Sequence, residues 1–146
     1  MTFAADLRAF AVKSEKAADA TVRAITFALF REVVQRTPVG NPSEWKNPPP
    51  PGYVGGRLKG NWQVSTGSPA TGALTSTDKS GATTIAKIAA GVGGLGDVSY
   101  LANNLPYAHR IEYDGWSRKQ APAGMVRVSM SRINQIVARA IRQNKV

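Results

Sequence analysis

The chain has 146 residues, 42% of them apolar, with no cysteine, one histidine and a formal net charge of +10. That length suits one domain with a real core, and the missing cysteines exclude disulfides and thiolate metal sites. No run of 18 apolar residues is present to span a bilayer, and Asp6 and Arg8 interrupt the apolar core that a secretory leader needs.

The charge is unevenly spread. Residues 1–60 carry nine Lys/Arg and five Asp/Glu, residues 61–115 carry three and four, and residues 116–146 carry seven and none. A polybasic end points to nucleic acid, an anionic surface or an acidic protein neighbour, without choosing among them.

In chain order, residues 3–36 are predicted as one long amphipathic helix. Phe3, Leu7, Phe10, Ser14, Ala18, Val22, Ile25, Leu29 and Val33 recur at steps of three and four. Thr2 is the expected N-cap, and Asp6 sits near the positive helix end. A helix of this length spans roughly 50 Å, more than a small domain, so part of it is expected to project or to pack on another subunit. The plainer alternative is a helix that kinks or frays at its start.

Residues 37–56 hold six of the nine prolines, four of them consecutive from Pro48. Fixed φ and missing donors make this a long loop. Trp45 and Tyr53 within it are candidate anchors for a partner; the alternative is an unstructured insertion. Residues 57–66 are expected as a strand, with Leu58, Trp62 and Val64 as its apolar members and Gly60 at a bend or bulge. Turns fill 67–80. Residues 81–92 are expected as a short helix, with Asp78 or Ser80 as N-cap and the glycine run 91–96 as its end.

A short strand is expected at 98–103 and a single helical turn at 107–112. A C-terminal helix is expected over 122–143, with Pro122 in its first turn. Val126, Met130, Ile133, Val137, Ala140 and Ile141 form its apolar face, and Arg127, Arg132, Arg139, Arg142 and Lys145 fall opposite. That basic face is either a contact surface or an ordinary solvated one. The architecture is α+β in a single domain: two terminal helices on a small antiparallel sheet, with a short middle helix and a Pro-rich loop.

Catalytic constellations are sparse. His109 is the sole histidine. It lies three residues before Glu112 on one helical turn, so the two could touch, but such a pair is more often structural. A zinc site with three nitrogen or sulfur ligands from one chain is impossible. Gly91-Val-Gly-Gly-Leu-Gly96 matches G-x-G-x-x-G, yet the phosphate-binding form needs a strand before it and a helix after it, and here the order is reversed. Ser76-Thr-Asp-Lys79 matches S-x-x-K without the companion motifs of that class. No enzyme activity and no cofactor are expected.

Several blocks carry a family resemblance. Arg36-Thr-Pro-Val39 and Gly56-Arg-Leu-Lys-Gly-Asn-Trp62 are followed by Tyr100-Leu-Ala-Asn-Asn-Leu-Pro-Tyr-Ala108, Arg110-Ile-Glu-Tyr113, Gly115-Trp-Ser117 and Gln120-Ala-Pro-Ala-Gly-Met-Val-Arg127. Together they resemble the siphophage neck and tail-completion proteins, also called minor tail or tail-component proteins. The resemblance spans residues 36–127. It implies a non-enzymatic virion subunit, assembled in the bacterial host cytoplasm, in a homo-oligomeric ring that often has six copies. Such a ring sits between the portal-side connector or head-completion proteins and the tail terminator or tube. One departure stands out: in the simpler pattern the Thr-Pro-Val segment reaches Gly-Arg-Leu in a few residues, whereas here residues 40–55 intervene.

On this reading the N-terminal helix packs subunit on subunit. Tyr107, Tyr113, Trp116, Arg118 and Lys119 form a docking surface, with Trp45 and Tyr53 as further anchors. Arg57, Lys59, Arg127, Arg132, Arg139, Arg142 and Lys145 are candidate contacts to phosphate or to an acidic partner. The alternative function is a non-specific DNA-binding protein, because no sequence-reading motif accompanies the basic helix. The two overlap, since duplex DNA passes through a neck ring. No membrane partner is expected.

Overall fold

The structure, a computed structural model, describes residues 2–145. The element order is α1 (Phe3–Arg36), a 3-10 turn (Pro42–Glu44), α2 (Arg57–Gly60), β1 (Gln63–Thr66), α3 (Ala82–Gly91), β2 (Ser99–Ala102), α4 (Ala108–Tyr113), α5 (Val126–Met130) and α6 (Ile133–Gln143). The fold is α+β, with β1 and β2 antiparallel and Gln63 facing Ala102, Thr66 facing Ser99.

α1 forms over the expected span. The Thr2 hydroxyl accepts the Ala5 N–H at 3.2 Å, and Asp6 lies in the first turn. The helix stops at Thr37 because Pro38 disfavours helical geometry in the residue before it. Only the C-terminal third of α1 enters the core. Phe27, Phe30, Val33 and Val34 pack with Leu58, Trp62, Ile88, Leu105, Ile111 and Met125. Of the nominal apolar stripe only Val33 is buried. Phe3, Leu7 and Phe10 are 81%, 55% and 60% exposed, so the first turns of the helix stand clear of the body.

The expected strand at 57–66 is corrected. Its first four residues form the helical turn α2, and the strand starts only at Gln63. The cause is the segment 74–79, which runs directly against this turn. A Cβ on Gly56, whose φ is +95°, would lie 2.7 Å from the Lys79 nitrogen, and one on Gly60 would lie 3.0 Å from the Ser76 carbonyl. Asn61 is fully buried and pins the same segment. Its Oδ1 accepts the Leu74 N–H at 2.7 Å, and its Nδ2 donates to the carbonyls of Arg57 (2.7 Å) and Leu74 (3.1 Å). The two glycines and the asparagine thus make a cradle for a distant segment, a demand that strand periodicity does not register.

α3 lies where expected. Its N-cap residue is Gly81 at φ +83°, and the donors are satisfied by both anticipated side chains. Asp78 accepts from the Gly81 N–H (3.0 Å), the Thr84 N–H (2.8 Å) and the Thr84 hydroxyl (2.8 Å), while Ser80 Oγ accepts from the Ala82 N–H (3.2 Å). Burial pushes the Asp78 carboxyl up. The Thr84 and Gly81 donors and the charge of Lys59 outweigh it and hold Asp78 below the usual carboxylate range.

The single helix expected over 122–143 is two helices. Pro122 lies in a turn closed by Gly124 at φ +93°, and α5 begins only at Val126. At Ser131 and Arg132 the chain tightens: Arg132 N–H donates to the Ser129 carbonyl three residues back at 3.1 Å, and Ser131 Oγ donates to the Val128 carbonyl at 2.6 Å. The break re-aims the apolar face. Ala140 is buried and Ile133 and Val137 are partly covered, whereas Val126, Met130 and Ile141 stay exposed. α1 packs against α6, α3 and α5.

Candidate functional site

A groove of about 1130 Å³ opens between the Pro-rich loop and the connector after α4. Six of the seven anticipated interface residues line it: Trp45, Tyr53, Tyr107, Trp116, Arg118 and Lys119. Leu58 and Ile111 contribute to its lining from the core, and Arg57 borders it.

The two walls are tied by side chains whose partners lie far away in sequence. Gln120 clasps the backbone of Val39, accepting its N–H at 2.9 Å and donating to its carbonyl at 2.8 Å. Lys119 Nζ pairs with Glu44 at 3.1 Å. Within the loop, Trp45 and Tyr53 meet edge to face at 5.0 Å, a favoured aromatic geometry. They close over Gly40, where any Cβ would collide with the Tyr53 hydroxyl. Through these contacts the loop forms one wall of the groove.

The groove combines apolar area with positive charge. Burial pushes the Tyr107 phenol up, with Arg57 opposing and Tyr53 adding to the shift. Trp116 is 58% exposed, with the Arg110 guanidinium 5.2 Å from its ring centroid. Lys119 is neutralised by Glu44, but among the described residues Arg57 and Arg118 have no acidic partner.

Tyr113 does not line the groove. Its ring stacks at a tilt on His109 (4.7 Å) and lies under the Arg127 guanidinium (5.0 Å). Glu112 turns inward rather than toward His109, a contact that the helical spacing allowed but that does not form among the described residues. It is only 6% exposed, and its carboxylate accepts the N–H groups of Met125 (2.5 Å), Val126 (2.9 Å) and Arg127 (2.9 Å). Arg127 adds an ion pair at 3.3 Å and a further bond to the Glu112 carbonyl. An anion at a helix start satisfies orphan donors and the positive end of the helix dipole. Burial raises the Glu112 carboxyl, and these donors outweigh it, so the group sits below its ordinary value.

The anticipated basic contacts separate into two groups. Lys59 is not a surface cation: it is 8% exposed, and burial lowers its pKa against the opposing charge of Asp78. Arg127 is engaged by Glu112, and Arg132 pairs with Glu32 of α1 at 2.8 Å. Arg139, Arg142 and Lys145 are exposed, with no acidic partner among the described residues.

The glycine run presents no open phosphate cradle. Gly93 N–H donates to Ser99 Oγ (2.9 Å), Gly94 N–H to Asp97 (2.9 Å) and Leu95 N–H to Asp19 of α1 (2.8 Å). Side-chain oxygens already hold the donors a phosphate would need. Arg23, bonded to Asp19 at 2.9 Å, also donates to the Val92 carbonyl at 3.0 Å, so the run docks on α1.

Sequence reasoning missed Gln120, Glu44, Asn61 and Asp19 as organising residues. Only the Asp19–Arg23 spacing of four offered a local signal; Gln120 and Val39 are 81 residues apart. Among the described residues no group of three or more His, Asp or Glu is placed to hold a metal, and no helix is long and apolar enough to cross a membrane. No family model, no curated protein and no solved structure matches the chain.

Proposed function

We propose that the chain is a structural, non-catalytic subunit of a tailed bacteriophage, forming a homo-oligomeric ring in the neck that joins or completes the tail. The observation that carries this reading is the projecting start of α1, whose apolar residues Phe3, Leu7 and Phe10 are mostly exposed among the described residues. A helix of 34 residues whose first turns project with exposed apolar side chains suits a subunit completed by its neighbours. Support also comes from the blocks that resemble neck and tail-completion proteins. Thr37, Gly56, Asn61, Trp62 and Glu112 from those blocks build the framework behind the groove.

The ring, which in the proteins it resembles often has six copies, takes connector or head-completion proteins on one side and the tail terminator or tube on the other. Its place is the virion, after assembly in the host cytoplasm. Locating the labelled chain in images of purified particles tests the reading. Density at the head–tail junction, and unjoined heads and tails when the gene is deleted, are expected. Particles that join without the chain would overturn it.

A second reading, DNA contact without sequence preference, rests on Arg139, Arg142 and Lys145 at the exposed end of α6. Its signature is a duplex affinity that falls steeply with salt, by a log–log slope that shrinks by ~2.7 when all three become Gln. A flat salt dependence removes it.

A further inference from the structure

We infer that the tip of α1 of one copy seats in the groove between the Pro-rich loop and the connector of the next copy, making a head-to-tail contact. The inference rests on the ring reading for its closure, and deepens it by naming the two surfaces that meet.

The chain presents two apolar features of opposite shape. One is convex: Phe3, Leu7 and Phe10 stand at i, i+4 and i+7 on a free helix end. That spacing is how an amphipathic helix reads into an apolar groove. The other is concave: Trp45, Tyr53, Tyr107 and Trp116 line about 1130 Å³. That volume exceeds the ~300–1,000 Å³ of small-molecule pockets and has room for side chains of a protein segment.

The two cannot meet within one chain. The groove begins at Pro38, directly after the far end of α1, and the helix tip lies ~50 Å from that end along a rigid rod. A tip seated in the groove therefore belongs to another copy. Charge agrees with this choice. At 100° per residue Asp6 lies about 60° from Phe3 and flanks the stripe, while Arg8 falls on the far side. Among the described residues Arg57 and Arg118 are the groove cations with no acidic partner, so the one acidic side chain of the tip would meet complementary charge there. A contact between two different patches generates a ring when its rotation closes.

The test uses two variants of the full chain. One carries Phe3→Ala, Leu7→Ala and Phe10→Ala. The other carries Arg57→Ala and Trp116→Ala. All five residues are exposed, and circular dichroism checks that both variants fold. In sedimentation, each variant alone should lose self-association by roughly 30-fold or more, as expected for removal of anchor residues. Mixed together they should form a 1:1 pair and stop, because one intact tip meets one intact groove. A cross-link adds a gentler probe: the chain has no cysteine, so mixing Leu7→Cys copies with Val54→Cys copies should give the mixed disulfide in preference to either homodimer. If the groove variant assembles like the parent, or the mixture yields no pair, the contact is wrong while the ring reading stands. A parent chain that never self-associates also overturns the contact, and the neck reading is then judged from the particle images.

Discussion

The indole N–H of Trp62 donates to the Thr37 hydroxyl at 2.7 Å, and that hydroxyl donates onward to the Val33 carbonyl, also at 2.7 Å. All three residues are buried. This relay welds the end of α1 to the residue that precedes β1, and so fixes where the Pro-rich loop leaves the body. It joins the Thr-Pro-Val segment to the Gly-Arg-Leu-Lys-Gly-Asn-Trp block, which are otherwise separated by the long loop.

Thr37→Val keeps the shape and strands the indole donor. A buried unsatisfied donor costs about 1–3 kcal/mol. Denaturant unfolding should register that loss, and adding Trp62→Phe should recover part of it, since both partners are then apolar. Losses that add fully, with no coupling between the sites, would mean that the relay contributes nothing.

Glu112 makes stability depend on acid. Its folded pKa lies below its ordinary value of 4.5, so its contribution is complete above that pH. It is lost as pH falls through the lower, folded value, where the unfolded chain binds more protons. Glu112→Gln should flatten this part of the acid-unfolding curve and cost about 1–3 kcal/mol at neutral pH by weakening the charge-assisted bonds to the α5 donors, the Arg127 guanidinium being half exposed to water. Should that variant fail to fold, the carboxyl carbon shift of Glu112 in the parent, followed by NMR from neutral to acid pH, reads the same depression directly.

Gln120 holds the groove rather than the core. Gln120→Ala frees both backbone groups of Val39, so protease cleavage within 40–55 should accelerate while the thermal midpoint falls by only a few degrees (about 1 kcal/mol). Unchanged cleavage would show that the Lys119–Glu44 pair and the aromatic contact suffice to hold the wall.

Trp116→Ala removes an exposed ring that no core residue needs. The fold should survive within about 0.5 kcal/mol, and head–tail joining should fail. Infectious particles at normal titre would remove Trp116 from the interface.

The periodic and locally capped elements were legible in the amino-acid order. α1 with its Thr2 cap, the α3 helix under Asp78 and the helical turn near Tyr107 each follow from side chains within a few residues of one another. Such signals survive in sequence because the interactions that produce them are local. The candidate anchors were legible too, as residue types, although their convergence was not.

What only the tertiary structure decided lies at contacts between distant segments. The turn at α2 exists because 74–79 presses on Gly56 and Gly60, and the late start of α5 follows from the Glu112 carboxylate gathering three N–H donors. Lys59 was drawn into the body by the same packing, and Arg127 and Arg132 found acids on other elements. The groove belongs to this second class. Its walls come from residues as far apart as Pro38 and Gln120, so no short window of sequence contains it. Sequence alone determined that this chain carries a long helix whose apolar stripe outruns a small domain; packing decided that Val33 is buried, that the stripe from Ala18 to Leu29 is partly covered and that Phe3, Leu7 and Phe10 stay exposed, because the body reaches only so far along the helix.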